Sequence, residues 1–112
     1  MARNWFNSNR GQGNVLRTNG EEITATATIT PNANIHVVKL TMALAATLTG
    51  AAASAVIGDI VSLVISNPTG GPLDVTLAGD FKAGTITVAT TGVASVLLIF
   101  NGTDYAATET PV

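Results

Sequence analysis

The sequence predicts an all-β protein: a single antiparallel β-sandwich or jelly-roll-like body of seven to eight short strands, preceded by an extended N-terminal arm. Three observations carry this expectation. From Ile23 onward, apolar residues alternate with threonine, serine and charged residues, the two-residue period of a half-buried strand. Clusters of Gly, Pro and Asn interrupt the alternation every eight to twelve residues or so, the turn spacing of small all-β domains. No window sustains a helical period beyond about two turns.

Residues 1–20, MARNWFNSNRGQGNVLRTNG, differ in kind from the rest. They hold five Asn, three Gly and three Arg around Trp5, Phe6, Val15 and Leu16, with neither strand nor helix period. This segment is read as the arm, and residues 21–112 as the body. The first strand is expected over residues 23–30, where Ile and Ala alternate with Thr. Pro31-Asn32-Ala33-Asn34 breaks it as a turn. Strands follow over residues 35–42 and 44–49. Residues 50–55 are ambiguous between a helical turn and a loop. Gly58-Asp59 turns into a nearly continuous apolar strand over residues 60–66. Asn67-Pro68-Thr69-Gly70-Gly71-Pro72 is the strongest turn signal in the chain. Leu73, Val75 and Leu77 alternate with polar residues in the next strand, and residues 79–84 form a loop carrying Phe81. Residues 85–90 alternate again, residues 93–101 are the most apolar strand, and Asn101-Gly102 reads as a hairpin turn into residues 105–110.

Composition narrows the function. At 112 residues the chain is one domain, with 46% apolar residues, many of them alanine, and only five aromatics. Such a core is thin, and 11% charged residues is sparse for a surface that stays alone in water. Both features favour burial between subunits. The charge is split: Arg3, Arg10 and Arg17 give the first twenty residues +3, while Lys39 and Lys82 against seven acids give the remainder −5. No secretory leader pattern is visible. Residues 40–58 lack charge but are too rich in Ala, Thr and Gly for a membrane span, so no membrane partner is expected.

The residues that carry chemistry are missing or scattered. There is one histidine, His36, inside a strand pattern, and no cysteine, so neither a nucleophilic triad nor a zinc-type cluster can be assembled. Glu21 and Glu22 are adjacent and face opposite sides of a strand. A carboxylate pair contributed by loops, such as Asp80 with Asp104, is the pattern that hydrolysis of a glycan would use. Gly70-Gly71 has no Lys-Ser/Thr after it, so it is a turn and not a phosphate cradle. The body is acidic and poor in aromatics, which argues against nucleic acid. No catalytic, cofactor-binding or metal-ligating residue is expected, and no cofactor.

The order of motifs is more informative. A Thr-rich strand leads to Thr30-Pro31-Asn32-Ala33, then to His36-Val37-Val38-Lys39-Leu40-Thr41. Gly58-Asp59 precedes the apolar strand. After the Gly-Gly turn come Ala78-Gly79-Asp80-Phe81-Lys82 and Leu98-Ile99-Phe100-Asn101-Gly102-Thr103-Asp104-Tyr105. Over residues 23–106 this resembles a β-rich module of tailed-bacteriophage virion proteins, including tail-fibre and appendage proteins. Tyr105 stands where that module places an aromatic after its last hairpin turn. The alanine-rich residues 51–55 and the scarcity of aromatics near Leu77 depart from it and weigh against a sugar site.

The resemblance implies a non-enzymatic virion protein, made in the host cytoplasm. The short chain suits a capsid decoration protein at the capsid surface, bound to the major capsid protein or another virion protein as a homo-oligomer, with a trimer favoured by analogy. A receptor-binding or fibre-appendage module that meets the host is the other expectation. Candidate interface residues are Arg3, Trp5, Phe6, Arg10, Val15, Leu16 and Arg17 of the arm, aromatic anchors beside arginine being typical of interface hot spots.

Overall fold

The computed structural model describes residues 17–107, which are all β and wind as a solenoid of about three turns. β1 (Thr18–Ile23) and β2 (Ala27–Ile29) form the first coil. β3 (Ile35–Thr41) with β4 (Ala46–Gly50), and β5 (Ile60–Asn67) with β6 (Leu73–Gly79), form the second and third. Each coil places one strand in a six-stranded sheet and the next in a four-stranded sheet. Equivalent strands therefore stack in parallel: β1, β3 and β5 in one sheet, β2, β4 and β6 in the other. Thr18 lies beside Ile35, and Ile35 beside Ile60, so successive coils advance by 17 and then 25 residues.

The remaining chain closes the stack. β7 (Phe81–Lys82) sits on the far edge of the six-stranded sheet, and β8 (Gly84–Val88) runs antiparallel to β6. β9 (Gly92–Phe100) runs antiparallel to β5, and β10 (Tyr105–Ala107) folds back on β9 and alongside β7. The sheet orders are β1-β3-β5-β9-β10-β7 and β2-β4-β6-β8.

The antiparallel sandwich or jelly roll expected from the sequence is thus corrected to a β-solenoid with mixed sheets. Alternation with period two looks the same in parallel and antiparallel strands, so it fixes faces and not partners. The turns at residues 31–34 and 67–72 carry the chain across to the other sheet instead of back along the same one. The Thr-rich run 23–30 is likewise two strands. Ile23 ends β1, and the chain crosses at residues 24–26, where the Thr26 hydroxyl accepts the Thr47 N–H at 3.0 Å. Residues 51–55 are not helical. β1 begins at Thr18, inside the stretch assigned to the arm.

The core lies between the sheets in columns of like residues. Ile23, Leu40 and Ile65 form one column across the coils, Val38, Leu63 and Val96 a second, and Ala27, Leu48 and Leu77 a third. Leu40, Leu63, Ile65 and Leu48 are fully buried. The third corner is organised by Asn67, which is completely buried. Its Nδ2 donates to the Gly71 and Val88 carbonyls at 2.8 and 3.0 Å, and its Oδ1 accepts the Thr69 N–H and hydroxyl at 3.0 and 2.6 Å.

One column, formed by Ile29, Gly50 and Gly79, lacks side chains at two of its three positions. Gly50 and Gly79 are register partners, and the Phe81 ring fills the space in front of Gly50, where a Cβ would overlap it. Gly79 has φ +65° and its Cβ position is 2.6 Å from the Gly50 carbonyl oxygen. Phe81 meets Tyr105 edge-on at 5.7 Å between centroids, and Tyr105 meets Phe100 at 5.1 Å, so three aromatics cluster in the core beside β10. Gly50→Ala is expected to lower stability by about 1–3 kcal/mol through overpacking. In the Phe81→Leu background the added cost of Gly50→Ala should shrink, and a denaturant double-mutant cycle measures this. Asn67→Ala strands several carbonyls and the Thr69 donors and should cost about 2 kcal/mol or more in the same assay.

Candidate interaction surface

The two sheets present chemically different outer faces. In the four-stranded sheet, register aligns Thr28 with Thr49, and Thr47 with Thr76 and Thr85. Thr87 lies opposite Asp74 and donates its hydroxyl to the Asp74 carboxylate at 2.7 Å. This face is a hydroxyl lattice suited to water.

The outer face of the six-stranded sheet is aliphatic. Ile35, Ile60 and Ile99 stand side by side across β3, β5 and β9, and Ala106 of β10 extends the row. The next row is Val37, Ser62 and Leu97, then Lys39, Val64 and Ser95, then Thr41, Ser66 and Val93. Leu97 and Ile99 are about 40% exposed and Val93 is 69% exposed. The charged residues of this face, Glu22, Lys39 and Lys82, lie toward its margins on β1, β3 and β7, and none stands on β5 or β9. Val56 and Ile57 are exposed in the loop that leads into β5. Exposed aliphatic side chains gathered on one sheet face in this way are a feature of interaction surfaces.

At the margin, β1 is the edge strand of the six-stranded sheet. Its Glu21 points inward and meets His36: Glu21 Oε2 lies 2.5 Å from His36 Nε2, with His36 almost wholly buried and its Nδ1 without a partner among the described residues. Of the arm residues predicted as an interface, Arg17 is described and is exposed. Its N–H donates to Asn34 Oδ1 and its guanidinium to the Asn32 carbonyl, each at 2.9 Å, while its carbonyl accepts the Ile35 N–H. Arg17 is therefore tied to the corner between β2 and β3. Arg3, Trp5, Phe6, Arg10, Val15 and Leu16 lie outside the described residues.

Three of the loop acids hold backbone N–H and side-chain amide groups. Asp59 accepts from the Asn34 amide and the Val56 N–H, Asp80 accepts the Ala52 N–H at 2.8 Å, and Asp104 accepts the Asn101 amide within the hairpin turn. Among the described residues no three His, Cys, Asp or Glu side chains group as a metal site. No described helix is long and apolar enough to cross a membrane. Sequence reasoning missed the aliphatic face. Its signal was present in Val93, Leu97 and Ile99, which share one parity of a strand whose other parity is also apolar.

No protein-family model and no curated protein sequence matches the chain.

Tyr105 supplies a pH test of the aromatic cluster. Its hydroxyl is buried without a partner among the described residues, and burial pushes its pKa up, with the charges of Asp59 and Asp80 adding to the shift. A group whose pKa is raised by folding contributes stability below its unfolded value, about 10 for tyrosine, and loses it as pH rises beyond that. Tyr105→Phe should leave stability at pH 7 unchanged or slightly higher, because it removes an unpaired buried hydroxyl. It should also flatten the loss of stability above about pH 10. Urea midpoints from pH 7 to 11 for both proteins make the comparison.

Proposed function

We propose that this chain is a non-enzymatic structural protein of a tailed-phage virion, a decoration protein that coats the outer capsid surface as a homo-oligomer. The observation that carries the proposal is the aliphatic outer face of the six-stranded sheet, a surface built to be covered. It is joined by the likeness of residues 23–106 to phage virion modules and by the Arg-flanked Trp5-Phe6 pair, a hot-spot composition. In this proposal the body self-associates and the arm engages the capsid. The trimer belongs to the resemblance and is the oligomer that such modules suggest. Asp59, Asp80 and Asp104 accept from backbone N–H and side-chain amide groups, and the proposal assigns no residue a catalytic part.

A second reading, an appendage module that meets the host, draws on one feature: coils stacked in a column suit a rod better than a flat cap. Copy number separates the two. Quantitative mass spectrometry of purified particles is expected to find hundreds of copies, and a few tens or fewer would favour the appendage. The double variant W5A/F6A should lower occupancy on the capsid about tenfold or more while the circular dichroism of the body is unchanged. Absence of the chain from particles would overturn the proposal.

A further inference from the structure

The outer face of the six-stranded sheet has a relief that fits itself. On neighbouring strands β5 and β9, three of the four outward rows pair a large side chain with a serine. Leu97 is opposite Ser62, Val64 opposite Ser95, and Val93 opposite Ser66. Large and small thus alternate along β5, along β9 from Val93 to Leu97, and across those three rows, with Ile60 beside Ile99 as the exception.

Such a checkerboard has a simple symmetry consequence. A two-fold axis parallel to the strands, lying above the line between β5 and β9, exchanges the two strands between facing copies and leaves the level along the strand unchanged. Leu97 of one copy then stands over Ser62 of the other, Val64 over Ser95, and Val93 over Ser66. The same operation sets β3 against β10, placing Ile35 over Ala106, which shares its row. Only Ile60 and Ile99 meet large against large, at one end of the face. Face-to-face sheets pack about 10 Å apart with interdigitating side chains, and this pattern supplies the knobs and the holes for it. No charge lies on the two central strands to be buried without a partner.

We infer that this face packs against the same face of a second copy of the chain, about that two-fold axis. β3, β5, β9 and β10 have 7, 8, 9 and 3 residues; with strands about 4.8 Å apart and a rise of about 3.3 Å per residue they give a face of roughly 430 Å². Two such faces together bury about 860 Å², which places the contact in the weak, concentration-dependent class. The contact is isologous and makes pairs; a trimer would need another surface. The inference deepens the oligomeric part of the proposed function and makes no use of where on a particle the chain sits. Loss of the dimer and absence from the particle are therefore separate failures.

Sedimentation equilibrium of the full chain tests it. The wild type is expected to titrate between monomer and dimer. Leu97→Ser removes a knob and Ser62→Leu fills a hole, and each should weaken the dimer about tenfold or more. The double variant S62L/L97S exchanges knob for hole and should recover most of the affinity, which a generally damaged sheet would not do. T85D on the threonine face, with circular dichroism on every variant, is the control and should dimerise normally. A wild type that stays monomeric at the highest soluble concentration overturns the inference. So does a trimer, or a dimer that is indifferent to L97S and lost in W5A/F6A, in which case the arm holds the copies together.

Discussion

In-register stacking of like residues from coil to coil is the constraint on which the structure rests. A parallel strand pair holds equivalent residues side by side, so Leu40 lies on Ile65 and Leu48 on Leu77. A slip of one residue would turn Lys39 inward and Leu40 outward. Every other feature follows from holding that register. The corners must absorb coils of unequal length, and Asn67 does so in the third coil by replacing ladder bonds with side-chain bonds to four neighbouring groups. Where the column narrows at Gly50 and Gly79, the space goes to Phe81, whose ring anchors the returning segment. The closing strands β9 and β8 pair antiparallel, which turns the chain back along the stack in place of a fourth coil.

The same register determines the outer faces, because each inward residue commits its neighbours to point outward. One sheet thereby gathers threonines and the other gathers isoleucine, valine and leucine. The difference is energetic as well as visual. A hydroxyl lattice is satisfied by water, whereas exposed aliphatic surface costs about 25 cal/mol per Å² until it is covered. With few charges in the chain to keep the aliphatic face dispersed, association is the natural outcome. The serines on β5 and β9 then decide geometry, since they are where the side chains of a second sheet can enter.

The strands themselves were largely legible in the sequence. The strands around residues 35–42, 60–66 and 93–101 fall where β3, β5 and β9 are found, and Asn101-Gly102 does lead into a return strand. Pairing was not legible. The coil advances of 17 and 25 residues leave no fixed repeat to detect, and corner residues are the same Gly, Pro and Asn that make hairpins. His36 was read as a plain strand residue, and nothing in sequence spacing brings it to Glu21 fifteen residues earlier; only parallel register does. The aliphatic face was hidden for a related reason. A strand apolar on both parities reads as deeply buried, and residues 93–100 are buried on one side only.

The open end of the stack bears on how copies meet. Among the described residues β1 ends the six-stranded sheet, and a sheet that ends on a bare edge could grow by adding strands there, the usual hazard of an exposed edge. Here the edge strand carries Glu21 facing inward, its side chain still 37% exposed and held by His36. A further strand laid on β1 would cover that carboxylate and strip its remaining water, leaving one imidazole to compensate. Glu22, on the other side of the same strand, would bring a second carboxylate into any pairing of β1 with itself. Edge-to-edge growth is therefore opposed by charge at the place where backbone groups invite it. The aliphatic face has no such charge on its central strands, and a face-to-face contact about a two-fold axis closes after two copies and does not polymerise.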